Sequence, residues 1–143
     1  MDLSELMTDQ SLEKEGVWFE YGDAKFRIAS ENSPAYQRAI QRHTQACGPM
    51  LVRSKPEVMT KVMIGAMADA ILLEWTGVTM SGTVLECHVG KEATKEQKDV
   101  TKANKVKILE VPALRNWISN CMQDLTRFQT EGDTQQDATL GEP

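Results

Sequence analysis

A chain of 143 residues with 41% hydrophobic and 26% charged side chains has the size and composition of one globular domain. Sixteen Lys and Arg against twenty-one Asp and Glu leave a net charge of −5, the wrong sign for a protein that grips nucleic acid through its phosphates. No apolar run is long enough to span a bilayer, and three well-separated cysteines (Cys47, Cys87, Cys121) without a Cys-x-x-Cys argue against a disulfide framework and for a reducing compartment.

The charge is unevenly placed. Residues 1–16 carry five acids and one Lys, residues 130–143 carry Glu131, Asp133, Asp137 and Glu142, and the body between them is therefore positive by three. The start, Met1-Asp2-Leu3-Ser4-Glu5, lacks the apolar core of a secretory signal. We expect a flexible acidic segment over 1–15, one domain over 16–129, and a disordered acidic tail over 130–143, where no apolar period is found. With only 6% aromatics and eight Met, the core should be aliphatic and Met-rich, with three Trp as large fillers.

The first element is a hairpin. Val17-Trp18-Phe19-Glu20-Tyr21 and Ala24-Lys25-Phe26-Arg27-Ile28-Ala29 are rich in strand formers and flank a Gly22-Asp23 pair suited to a two-residue turn. Phe26 and Ile28 share one face, Lys25 and Arg27 the other. Ser33-Pro34 then opens a helix, with Ser as cap and Pro at the first turn. Tyr36, Ala39, Ile40, His43 and Cys47 form its apolar stripe, and Gly48-Pro49 ends it. A central helix is predicted from Pro56 to Trp75, carrying Met59, Val62, Met63, Ala66, Met67, Ala70 and Ile71 and continuing through Leu72, Leu73 and Trp75.

Beyond Thr76 the pattern breaks. Thr83–Val89, bounded by Gly82 and Gly90, reads as a short strand, and Thr101-Lys102-Ala103-Asn104 reads as the start of another helix. In the last helix Leu114, Trp117, Ile118, Cys121, Met122, Leu125 and Phe128 recur at three- and four-residue steps as one uninterrupted face. The fold class expected is mainly α (α+β): a small helical domain with an N-terminal β-hairpin.

Reactive constellations are absent. No phosphate-cradling glycine loop, Walker-type Gly-Lys-Ser/Thr, His-Glu-x-x-His or Gly-x-Ser-x-Gly occurs, so the chain is not expected to be an enzyme or to need a cofactor. His43, Cys47, Cys87 and His88 make a poor zinc set, because adjacent strand residues such as Cys87 and His88 point to opposite faces. Glu74 stands beside Trp75 in apolar company but has no carboxylate partner. The stretch Lys91–Lys107 holds six Lys against Glu92, Glu96 and Asp99; it reads first as a solvated face and second as a basic patch for an acidic partner. Met59, Met63 and Met67 lie four residues apart on one helix, where flexible thioethers either fill core space or form an adaptable groove for a partner helix. The candidate partner-binding residues are Met63, Met67, Trp117 and Phe128.

The order of these features resembles the tail assembly chaperones of long-tailed, siphovirus-like bacteriophages. The matching segments are Gly16-Val17-Trp18-Phe19-Glu20 with Asp23–Ala29, Asn32–Ala39, Ala70-Ile71-Leu72-Leu73-Glu74-Trp75-Thr76-Gly77-Val78, Thr101-Lys102-Ala103-Asn104, and Leu109–Ile118 closing at Arg127-Phe128. Thr79-Met80-Ser81-Gly82 and the longer, more charged Cys87–Val100 region depart from the family pattern. The resemblance implies a non-enzymatic protein of the host cytoplasm that binds the tape measure protein, a long helical chain, and keeps it soluble while the tail tube polymerises. It also implies a frameshift-extended form that engages the tail tube protein, and leaves homo-oligomerisation open. Membrane and nucleic acid are not expected partners. The alternative is a minor structural or tail-completion protein of the virion.

Overall fold

The computed structural model describes residues 1–129. It is mainly helical, with a small three-stranded antiparallel sheet that begins with the N-terminal hairpin. The disordered tail expected over 130–143 lies outside the described residues.

The chain opens with a 3₁₀ turn, Leu3–Leu6, and a short helix α1, Gln10–Glu15. Both have side-chain caps: Asp2 accepts from the Ser4 amide, and Asp9 from Ser11 and Leu12. Glu13 is buried against Ser30, and the Asp9 amide donates to the Phe128 carbonyl at 2.7 Å. Within the stretch 1–15, expected to be flexible, Leu3–Leu6 and Gln10–Glu15 thus form two short helical pieces.

Strands β1 (Val17–Tyr21) and β2 (Ala24–Ile28) form the expected hairpin, with Phe19 opposite Phe26. Gly22, the first turn residue, takes φ +59°, which suits a II′-type turn. Helix α2 (Pro34–Cys47) begins as expected, with Ser33 Oγ accepting from the Tyr36 amide at 3.3 Å. Gly48 ends α2 and, at φ +95°, turns the chain directly into a further short helix, α3 (Pro49–Ser54). The sequence signal for a stop was right, but the Pro that ends one helix also suits the first turn of the next.

The main departure concerns the central helix. It ends at Ala70 as α4 (Pro56–Ala70), and Leu72–Thr76 form β3, paired antiparallel with β2. Phe26 faces Trp75, Arg27 faces Glu74 and Ile28 faces Leu72, so Leu73 is the extra residue of a bulge. That bulge puts Leu72 and Trp75, three residues apart, on the same buried face. A three-residue spacing of apolar side chains is also what a helix shows, which is why the sequence reads as helical to Trp75.

Gly77 leaves β3 with φ +76°, where a Cβ would lie 2.9 Å from the Asp23 carbonyl oxygen. A two-residue-strand hairpin follows, β4 (Thr79–Met80) and β5 (Thr83–Val84), turning through Ser81 and Gly82, both at positive φ. The strand predicted over Thr83–Val89 is confined to those two residues, and 85–88 run irregularly against a helix.

That helix, α5 (Lys95–Glu110), starts six residues earlier than the predicted Thr101, behind a capping box of Thr94 and Gln97. Thr101 and Asn104 are buried in its middle, one turn apart. Thr101 Oγ1 accepts from the His88 amide at 2.8 Å, and Asn104 Nδ2 donates to the Glu86 carbonyl at 2.9 Å. Trp75 Nε1 donates to the Leu85 carbonyl at 3.0 Å. Three side chains thus satisfy a partly buried irregular backbone.

Helix α6 (Pro112–Met122) is shorter than its apolar stripe. After Gln123 the chain leaves helical geometry, Thr126 Oγ1 bonds the Asp124 carboxylate at 2.7 Å, and a 3₁₀ turn over Leu125–Phe128 follows. Phe128 still reaches the core, by the turn rather than by a continuing helix.

One core joins these layers: Phe26, Ile28 and Leu72 of the sheet meet Ala66, Met67 and Ile71 of the central helix region and Ile108, Leu109 and Ile118 of the last two helices. Replacing Asn104 by Ala should remove its bond to the Glu86 carbonyl and cost about 1 kcal/mol. Chemical denaturation should show this as a lower midpoint with an unchanged slope.

Candidate partner-binding surface

The four residues nominated from the sequence do not share a surface. Met67 is 0% exposed and Phe128 1%, so both belong to the core rather than to the outer surface. Met67 is sealed beneath the helical layer, and Phe128 packs 6.2 Å from the Phe19 ring. Trp117 is half-buried at the centre of an aromatic cluster, with Tyr21 at 4.9 Å, Phe26 at 5.5 Å and Phe19 at 6.4 Å, all edge-on. Only Met63 stands at an opening.

That opening is a groove of about 270 Å³ between α4 and α6. Met59, Thr60 and Met63 form one wall, Met67 closes the inner end, and Arg115, Asn116 and Ser119 form the other wall. Met59 is 45% exposed at its mouth. The Tyr36 hydroxyl lies 3.9 Å from Met63 Sδ and holds the inner side of that thioether, while Arg115 Nη1 donates to the Leu109 carbonyl at 2.9 Å and keeps the guanidinium beside the groove. Burial, with Glu31 nearby, raises the Tyr36 phenol, which stays protonated. Two flexible thioethers facing a cation and an amide can take an apolar side chain and hydrogen-bond its flanking polar groups. The Met periodicity was legible in the sequence; the facing residues of α6 were not, because they sit on what reads as its polar side.

A larger open cleft of about 780 Å³ lies at the sheet, lined by Trp18, Glu20, Lys25, Thr76 and Arg127. Arg127 crosses it, its guanidinium 4.4 Å from the Phe19 ring centroid and bonded to the Trp18 carbonyl. Its charged rim suits an apolar side chain less well than the Met groove does.

The chemically reactive side chains are engaged elsewhere. His43 Nε2 and Asp69 Oδ2 lie 2.7 Å apart, Arg42 Nη2 donates to the same oxygen at 2.8 Å, and Lys102 Nζ is 3.8 Å from the other. The His43 ring packs where a Cβ on Gly65 would sit, 2.6 Å away, so the glycine lets α2 and α4 approach. Among the described residues no three His, Cys, Asp or Glu gather as a metal site. Glu74 is paired with Arg27 at 3.0 Å across the sheet. Burial, with Asp124 nearby, pushes the Cys121 thiol up to about 12, and burial raises Cys87 too, the reverse of what a thiolate nucleophile needs. No helix of the described residues is long and apolar enough to cross a membrane.

Comparison of the chain with family models, with curated proteins and with solved structures found no match.

Asp69 ties α2, α4 and α5 together, and its titration can be read in stability. Burial alone would raise its carboxyl; the His43 and Arg42 hydrogen bonds and the Lys102 charge outweigh that and hold it below the ordinary range. A folded-state value below the unfolded one means stabilisation that is full above the unfolded value, near pH 3.9, and lost as pH falls through the folded one. Asp69→Asn should therefore cost about 1 kcal/mol at neutral pH, and the gap between variant and parent in denaturant titrations should close as the solution is acidified below about pH 3.9.

Proposed function

We propose that this chain is a tail assembly chaperone of a long-tailed bacteriophage, acting in the host cytoplasm to keep the tape measure protein soluble while the tail tube polymerises around it. It works by binding and carries no catalytic centre. The observation that carries this reading is the groove between α4 and α6, where exposed Met59 and half-buried Met63 lie opposite Arg115, Asn116 and Ser119. A long helical client presents apolar side chains at intervals of three and four residues, and a short thioether-lined trough accepts one or two of these without demanding one sequence. The resemblance in the order of sequence segments supports the same reading. The client-contacting residues are then Met59 and Met63 with the α6 wall, in place of the buried Met67 and Phe128.

Further exposed apolar side chains, Leu3, Leu6 and Met7 near the start and Met50 and Leu51 on α3, extend the surface a non-polar client or a second copy could use. A frameshift-extended form engaging the tail tube protein belongs to the same proposal.

Co-expression with a tape measure fragment tests it. The fragment should move from the insoluble to the soluble fraction and co-purify with the chain. A Met59→Lys, Met63→Lys pair should abolish both effects while the variant keeps the parent's circular dichroism. Client solubility unaffected by the parent chain would defeat the reading, as would recovery of the protein in mature virions at stoichiometric amounts.

A further inference from the structure

The lysine-rich stretch takes no part in the Met groove, yet it is folded into a defined place. On α5, Lys98, Thr101, Lys102 and Lys105 recur at three- and four-residue steps, so they line one side of the helix over about 10 Å. With His88, Val89, Gly90, Ala68 and Asp69 they wall a cleft of about 300 Å³ between α5, the end of α4 and the loop strapped down by Thr101 and Asn104.

The charges facing this cleft do not balance. Asp69 is the one carboxylate lining it among the described residues, and Arg42 and His43 already occupy one of its oxygens. His88 has Glu86 at 3.6 Å. Lys102 reaches Asp69 only at 3.8 Å, and Lys98 and Lys105 have no ion pair among the described residues. Lys105 is also half-buried: removal from water, foremost, depresses its ammonium, and Arg27 and Lys102 add to the effect against the opposing pull of Cys87 and Asp69. A desolvated cation with no carboxylate at ion-pair distance is a standing cost that an incoming anion relieves.

We propose that this cleft is a docking site for an acidic peptide segment of a partner protein, whose carboxylates pair with Lys98, Lys102 and Lys105. The row form favours a peptide over a single oxyanion. Three ammonium groups strung along a helix do not converge on one point, whereas same-side carboxylates of a peptide repeat at about 6 Å, as the lysines do. Asp69 within the wall also repels a doubly charged phosphate more than a carboxylate. The site lies on other residues than the Met groove and stands or falls independently of the client proposed above.

Fluorescence anisotropy of a short labelled oligo-glutamate peptide with the full chain provides the test, with oligo-glutamine of the same length as control. The glutamate peptide should bind saturably and the glutamine peptide should not. Lys98→Gln with Lys102→Gln should weaken binding about tenfold, and Lys55→Gln with Lys107→Gln, equal in charge but outside the cleft, by less than about twofold. Backbone amide shifts of the unmutated chain should change around 88–90 and 98–105 on adding the peptide, a readout that needs no variant to fold. Equal losses in the two double variants, shifts centred elsewhere, absence of saturation, or displacement of the peptide by an equal concentration of inorganic phosphate would each overturn the proposal.

Discussion

The structure turns on one residue, Ile71. It is the only residue between the last helical residue of α4, Ala70, and the first residue of β3, Leu72. Its amide closes the helix on the Met67 carbonyl at 2.9 Å, and its carbonyl accepts from the Ala29 amide, also at 2.9 Å, just past the end of β2. Helical layer and sheet are therefore joined by a link that is hydrogen-bonded on both sides and wholly buried, with no loop to absorb a change of angle. Leu72 and Trp75, once carried into the sheet by this link, each bury a side chain worth about 1.5–3 kcal/mol, and Trp75 anchors the irregular segment that follows.

The same link marks the limit of what periodicity could reveal. The hairpin, the Ser33-Pro34 start and the apolar faces of α2 and α6 follow from local signals: turn residues, caps and three- or four-residue steps. Leu72–Thr76 were misread because a bulge at Leu73 gives a strand the apolar spacing of a helix, and only the register with β2 separates the two. Helix α5 begins before the predicted Thr101, and the side chains of Thr101 and Asn104 serve the backbone of His88 and Glu86, a contact across a gap in sequence that no local pattern encodes. The N-terminal pieces were missed since their fastening to Ser30 and Phe128 is likewise long-range.

The candidate surfaces divide by the same logic. A methionine repeat can be seen in the sequence, but which of its members is sealed depends on what packs above it: Met67 lies under the helical layer, while Met59, two turns earlier, stands at the groove mouth. A lysine run can also be seen, but that Lys98, Lys102 and Lys105 share a concave wall with Asp69 depends on where α4 ends against α5. In both cases the sequence names the chemistry, and the packing of α4 decides which atoms present it.

The two extremities of the described fold meet. Gln129 Nε2 donates to the Glu5 carbonyl at 2.8 Å, and Asp9 to Phe128, so the chain returns to where it set out. A short bridge between these neighbours, with a fresh opening at the exposed Gly90, would rearrange the order of elements without moving any of them. A bulky group placed on the side chain of Glu5 or Gln129 would therefore crowd the same neighbourhood of Leu3 and Leu6.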